Sequence, residues 1–470
     1  MQHWWQKFIL GFTLLITSNI HADVILHAFN WKYSDITANV TSIKNAGYKA
    51  VLISPPAKSS GNEWWGRYQP QDMRVIDNPL GNKEDLQKLI TTLSKNGIAV
   101  YADVVLNHMA NEAYIRNDLN YPGNNILATY ANNKTYFERQ KLFGDLNNNV
   151  IANNDFHPAF CINNWNDVYQ VQNGRLCGGS DAGLPDLAAT NNVIALQKQY
   201  LQALKNMGIK GFRLDAVKHM DNYYLSSILT PDLLNGTFVF GEVITGGGTG
   251  NSDYEQFLKS YLASTSHSAY DFPLFATIRN AFSINGSMSQ LANPSANGQA
   301  LANNRAVTFS ITHDIPTNDG FRYQIMEPTD ELLANAYLLG RDGGVPMIYS
   351  DHGETKNKDG TRWVNYYNRS DIQAMVKFHN ATHGTTMEVI ASNNCYLVFK
   401  RNYTNGDAAG IVAINKCGFA QNVAIDTNRY KMLWHRNYVD VLNKSDILNI
   451  GSNSITITIP ARSAKMWLAS

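Results

Sequence analysis

The chain has little charge and almost no imbalance in it. Charged residues make up 16% of its 470 residues, and 39 Lys and Arg face 38 Asp and Glu, a formal net charge of +1. No block of one sign stands out, so the basic footprint that a phosphate backbone requires is missing and nucleic acid is excluded as the expected partner. Long hydrophobic runs are also missing. The apolar stretch at residues 8–16 is nine residues long, against the ~20 that a spanning helix needs, so no membrane partner is expected. Cysteine is scarce, with only Cys161, Cys177, Cys395 and Cys417. No CxxC pair or HExxH helix occurs among them and the histidines, which argues against zinc. The glycine run at residues 246–250 lacks the Lys-Ser/Thr of a phosphate loop, and reads instead as a mobile loop.

What is present describes a large globular chain. Hydrophobic residues reach 44% and aromatic ones 11%, which excludes disorder. At roughly 150 residues per domain the length allows about three domains, or one barrel with attachments. The N-terminus reads Met-Gln-His-Trp-Trp-Gln-Lys, an apolar run, then polar residues ending Ile20-His21-Ala22. That order resembles a secretory signal peptide over residues 1–22, cleaved near Ala22, with an uncleaved anchor as the alternative. The protein is therefore expected to be secreted, into a periplasm or out of the cell. An even cysteine count in an exported chain suggests two local disulfides, 161 to 177 and 395 to 417, four buried thiols being the alternative.

Three times a helical pattern closes on glycine before an apolar strand: at Gly47 before residues 50–54, at Gly97 before 98–103, and at Gly208 before 211–215. The middle helix is clearest, with Leu86, Leu89, Ile90 and Leu93 at helical spacing, Asn82 as its cap and an acid at Asp85. With further apolar runs at 24–29, 238–244, 306–311 and 345–349, at least seven strands precede residue 350. Repeated βα units of this number predict a (β/α)₈ barrel. The barrel is expected over residues 23–108 and 188–384, interrupted by an irregular, Asn-rich subdomain at 109–187. Short alternating runs such as 411–414 and 455–459 predict a C-terminal β-sandwich over 385–470.

Barrel chemistry sits at the C-terminal ends of the strands, and polar residues end these runs. Asp103 with Asn107 and His108 ends one, Arg213 and Asp215 sit on the next, Glu242 ends another, and His313-Asp314 follows residues 306–311. Carboxylates beside buried apolar runs are costly unless paired or functional. A single one reads as a structural ion pair; three converging at one mouth read as glycoside hydrolysis, where one carboxylate attacks and another donates a proton.

The segments Gly211-Phe212-Arg213-Leu214-Asp215-Ala216-Val217-Lys218-His219, Asp103-Val104-Val105-Leu106-Asn107-His108, Gly241-Glu242-Val243-Ile244 and Thr312-His313-Asp314 resemble four signature regions of the alpha-amylase family of glycoside hydrolases. Leu184-Pro185-Asp186-Leu187 resembles a fifth. Trp64-Trp65-Gly66-Arg67-Tyr68-Gln69-Pro70 is similar to the subgroup that contains the animal enzymes. The resemblance implies a retaining, internal hydrolysis of α-1,4-glucosidic bonds in an α-glucan polysaccharide by a monomer. The same acids would also serve an exo-acting or transglycosylating relative, and a non-catalytic glycan-binding protein is the reading from another class.

Residue by residue, the resemblance implies Asp215 as nucleophile, kept ionised by Arg213, Glu242 as acid/base and Asp314 as the third acid. Their nucleophile and acid carboxyls would lie ~5 to 5.5 Å apart. Asp103, His108 and His313 would support or hydrogen-bond the sugar. Trp64, Trp65, Tyr68 and Gln69 would form a platform for it, and Lys218 and His219 would lie on the leaving-group side. A structural calcium would be held by Asn107 and Asp186, with backbone carbonyls of Arg175 and His219. Chloride is not expected, because Thr312 replaces the asparagine of the chloride-binding relatives and Gly343-Gly344-Val345-Pro346 offers no cation.

Overall fold

Eight short runs of buried, mostly aliphatic residues form parallel strands. In chain order they are β1 (Ile25–Phe29), β2 (Ala50–Ile53), β3 (Ala99–Val105), β4 (Gly211–Asp215), β5 (Phe238–Gly241), β6 (Ser268–Tyr270), β7 (Ala306–Thr308) and β8 (Val345–Asp351). Each pairs with its neighbours in sequence and β8 pairs back onto β1, which closes the barrel. This computed structural model describes residues 24–353, 362–434 and 436–470. The expected leader and its cleavage point near Ala22 lie outside the described residues.

Seven of the strands are those expected, and the eighth is β6. Its three residues, Ser268 to Tyr270, are too few to show a pattern, and only the edges of β5 and β7 define it. The helix Lys83–Lys95 between β2 and β3 buries Leu86, Leu89, Ile90 and Leu93 against the barrel. Its start is fixed by a reciprocal pair, Asp85 N–H to Asn82 Oδ1 at 3.0 Å and Asn82 N–H to Asp85 Oδ2 at 3.1 Å, which satisfies two otherwise orphaned donors. Between β3 and the helix Asn191–Met207 the chain leaves the barrel pattern. That stretch is held by isolated bridges such as His108 to Asp186 and Phe156 to Leu187, and by the disulfide Cys161–Cys177.

The C-terminal region is all β. Strands Thr386–Ser392, Tyr396–Asn402, Ala408–Asn415, Ser463–Ala469, Asn437–Asp440 and Ile447–Asn449 make one sheet, in that spatial order, and Gln421–Asp426 pairs with Ser454–Ile459 in a second. Between them lies a separate core that includes Ile411, Val423, Ile425, Ile457 and Trp467. Cys395–Cys417 closes one end of the larger sheet, so both disulfides pair as expected and no described cysteine is free. Lys416 ties this region to the barrel: its ammonium donates to the carbonyls of Ala281, Ser283 and Gly286, each at 2.7 Å, at the end of the helix Phe272–Phe282. Among the described residues no helix is long and apolar enough to cross a membrane.

Candidate active site

The site is built around one buried cation. Arg213 and Asp215 lie two residues apart on β4 and so share a strand face, while Asp103 on β3 is the register partner of Arg213. Nη1 of Arg213 donates to both oxygens of Asp103 at 2.9 Å and to Asp215 Oδ1 at 2.7 Å, and Nη2 lies 2.5 Å from Glu242 Oε1. Three carboxylates thus share a single guanidinium that has no solvent exposure.

Glu242 is placed by its neighbours on the backbone. It follows Gly241, where a Cβ would come within 2.8 Å of the Tyr261 hydroxyl, so only glycine lets the strand end this close to that ring. Its Oε2 accepts the Ala216 N–H at 3.2 Å. Ala216 adopts φ 51°, ψ 32°, a left-handed conformation that costs a non-glycine residue about 1 kcal/mol. Strain at the residue following Asp215 therefore supplies a donor to Glu242.

One cation does not neutralise this cluster, and the remaining charge appears as displaced proton affinities. Burial pushes Glu242 up to about 8; Asp314 and Asp215 push the same way and Arg213 opposes them. Asp314 is raised to about 6, first by burial and then by Asp215, again against Arg213. Burial and the neighbouring acids raise Asp103 as well, with Arg213 pulling it down. Arg213 itself is destabilised as a cation by burial, but the carboxylates of Asp103, Glu242 and Asp215 more than offset this.

Aromatic rings form one wall. His313 is sandwiched between Phe29 at 4.7 Å and Tyr68 at 5.0 Å, with Trp64 edge-on at 6.1 Å. Burial and the charge of Arg213 hold His313 well below the usual histidine range, so it is neutral. The Tyr68 hydroxyl donates to Asp103 Oδ2 at 3.0 Å, and His108 Nε2 donates to the Tyr68 carbonyl at 3.0 Å. Trp65 is 46% exposed.

A cavity of about 740 Å³ opens above the acids. Trp64, Trp65, Tyr68, Gln69, His108, Asp215, Lys218, His219, Glu242, His313 and Asp314 all line it. Asp103 and Arg213, expected among the substrate contacts, do not; both are fully buried, and Arg213 meets Asp103, Asp215 and Glu242 from beneath the floor. Gln69 is partly engaged, its Oε1 accepting the Asn111 N–H at 3.0 Å. Lys218 pairs with Asp253 at 2.7 Å. His219 donates from Nδ1 to the Val171 carbonyl at 2.8 Å, and burial pushes it down to about 4. The glycine run at 246–250, expected as a mobile loop, contributes Gly246 to the lining and is pinned by Thr249 N–H to the Gly298 carbonyl at 2.9 Å. A second cavity of about 720 Å³ on the barrel flank, bounded by Lys83, Lys198 and Gln202, has a single acid, Asp232, and no paired carboxylates.

The expected metal set lies behind His108. Asp186 and Asn107 are each 2% exposed, with Asn107 Nδ2 at 3.1 Å from Asp186 Oδ1. His157 Nδ1 sits 2.6 Å from the other Asp186 oxygen, a partner that nothing in its sequence context signals. Burial raises Asp186 despite His157. A buried carboxylate beside an amide, with no Arg or Lys within salt-bridge reach among the described residues, suits a hard cation such as calcium. No group of three or more His, Cys, Asp or Glu side chains forms among the described residues, but the expected set uses one carboxylate, one amide and backbone oxygens. Sequence reading also missed Trp165, Phe275, Arg279 and Tyr323, which line the main cavity from loops and a helix face. Only tertiary placement brings them there.

Comparison with known proteins bears on this arrangement. The family model described as the alpha amylase catalytic domain matches residues 33–238. An alpha-amylase of Aeromonas hydrophila is 59% identical over 450 residues, covering 96% of each chain. An alpha-amylase-related protein of Drosophila atripex is 26% identical over 422 residues, 82% of this chain and 77% of that one. Among solved structures, a variant of alpha-amylase I from Eisenia fetida in complex with maltohexaose superposes with a TM-score of 0.73 at 21% identity, covering 95% of this chain and 97% of that one. An alpha-amylase of Geobacillus thermoleovorans complexed with acarbose gives 0.70 at 18% identity, covering 95% and 98%.

Proposed function

From the premise that this chain belongs to the alpha-amylase family and is a glycoside hydrolase, we propose that it is a secreted, monomeric alpha-amylase that cuts internal α-1,4-glucosidic bonds of starch or glycogen with retention. The observation that carries this reading is the sharing of Arg213 by Asp103, Asp215 and Glu242 at the floor of an aromatic-walled cavity.

In this reading Asp215 attacks the anomeric carbon as Glu242 gives its proton to the glycosidic oxygen. The C–O bond to the leaving chain breaks and a glycosyl ester forms on Asp215. Glu242, now a carboxylate, takes a proton from water, whose oxygen attacks the same carbon and releases Asp215. The raised proton affinity of Glu242 suits a group that must hold a proton near neutral pH. Asp314 holds hydroxyls of the sugar next to the cut and steadies its developing positive charge. Neutral His313 donates to the same sugar and His108, held by the Tyr68 carbonyl, lines the cavity beside it; Trp64, Trp65, Tyr68 and Gln69 carry the units beyond it, and Lys218 and His219 face the leaving chain. Asp103 and Arg213 act from below by holding Asp215 and Glu242 in place.

Calcium would be held by Asn107 and Asp186 with the carbonyls of Arg175 and His219. It would supply structural cross-linking between residues 109–187 and the barrel, not chemistry. Chloride is not required: Arg213 is engaged by three carboxylates, and turnover of chloride-free enzyme should stay unchanged when chloride is added. The barrel at 23–108 and 188–384, the subdomain at 109–187 and the sandwich at 385–470 would be the three units.

Loss of iodine staining of soluble starch, followed beside the release of reducing ends, tests internal cleavage. Rapid loss of staining with few new ends is expected. Slow loss with one dominant small product would assign the exo-acting alternative, and retained starch binding without products the glycan-binding one.

A further inference from the structure

The cavity wall across from Trp64 and Trp65 has no part in the reaction described above. Those residues follow β2, and β2 and β6 stand four places apart in a closed order of eight strands, on opposite sides of the mouth. The helix Phe272–Phe282 after β6 brings Phe275 and Arg279 to the cavity, and the turn Arg322–Gln324 beyond Asp314 adds Tyr323. These three side chains form a stack. The guanidinium carbon of Arg279 lies 5.7 Å from the Phe275 ring centre and 5.5 Å from that of Tyr323. Arg279 Nη2 also donates to the Tyr323 carbonyl at 3.3 Å, so side chain and backbone of Tyr323 are held by the same group.

Tyr323 is nonetheless 74% exposed. A flat aromatic face that is held from behind and open to the cavity in front is suited to stacking on a ligand ring. Arg279 commits Nη2 to a backbone carbonyl, and a guanidinium with five N–H donors has others to offer ligand oxygens. A pyranose ring offers both features, a C–H face to stack and hydroxyl oxygens to accept. The wall is continuous with the cavity that holds Asp215 and Glu242, so a chain bound across those acids from Trp64 and Trp65 runs towards it.

We propose that Tyr323, clamped by Arg279 on Phe275, is a specificity-determining residue that stacks on a glucose unit of the α-glucan on the leaving-group side of the cleaved bond. This rests on the α-glucan reading of the same cavity. Chains long enough to reach Tyr323 gain the contact and short ones do not, so the residue acts on chain-length preference and on where the chain is cut.

The test compares kcat/KM for maltoheptaose and maltotriose in the wild type, Tyr323→Ala and Tyr323→Trp, together with the cutting pattern of maltoheptaose labelled at its reducing end. In Tyr323→Ala the maltoheptaose to maltotriose ratio should fall about fivefold to tenfold, the loss of one stacking contact. The labelled products should shorten, because fewer units are then retained on the leaving side. Tyr323→Trp should keep the ratio. An unchanged ratio in Tyr323→Ala, an equal loss on both substrates, longer labelled products, or a Trp variant as impaired as the Ala variant would each overturn the proposal. A wild type that releases nothing from maltoheptaose would instead overturn the α-glucan reading itself.

Discussion

Arg213 has more acid around it than one cation can neutralise, and the consequence falls on Glu242. In the unfolded chain this carboxyl titrates near 4.5, and in the folded one it is pushed up to about 8. Between those values the folded chain binds more protons, so the group's contribution to stability is present at low pH and is lost as pH rises through its folded value. Activity follows the same direction, because the acid must arrive protonated. The profile of kcat/KM is expected to fall as pH rises past about 8, and Glu242→Gln, which cannot titrate, should lower kcat by about 10²–10⁴-fold and lose that limb. A Gln variant retaining wild-type turnover would contradict the assignment. The acids themselves were legible in the sequence because each interrupts or ends an apolar run, where a carboxylate is costly without a purpose. Their proton affinities were not, since these depend on which charges the barrel brings within reach.

At the scale of elements, the helix Lys83–Lys95 could be read because its apolar spacing and its Asn82 and Asp85 cap are local features. β6 could not, because three residues acquire strand geometry only from the edges beside them. The same division runs through the site. Asp215, Glu242 and Asp314 sit on or just beyond strands, whereas His157, Trp165 and Tyr323 reach their places by loops whose course depends on long-range packing. His157 matters for the calcium proposal, since it already occupies one side of Asp186. Exhaustive chelation is expected to lower Tm by several degrees, as removal of a ligand that binds only the folded state does, and Asp186→Asn should abolish that response. An unchanged Tm in the chelated wild type would remove calcium from the account.

Across the whole molecule, one face of the larger C-terminal sheet, with Leu397, Phe399, Val412, Ile414 and Met466, joins the core of the barrel while its other face packs into a second core, and Lys416 adds a polar tie between the two regions. Its three bonds end the helix Phe272–Phe282, the helix that also carries Phe275 and Arg279 of the cavity wall. Lys416→Met should destabilise the protein by about 2–3 kcal/mol, because buried helix-end carbonyls lose a charged donor, and thermal unfolding would measure it. A Tm within a degree of wild type would show the clamp to be dispensable. If Asp215 and Glu242, both held by Arg213, act in two successive displacements, the first product keeps the anomeric configuration of the substrate. Proton NMR of maltooligosaccharide hydrolysis, recorded before mutarotation, should show the α-anomer appearing first. Initial formation of the β-anomer would mean a single displacement by water and would contradict the account.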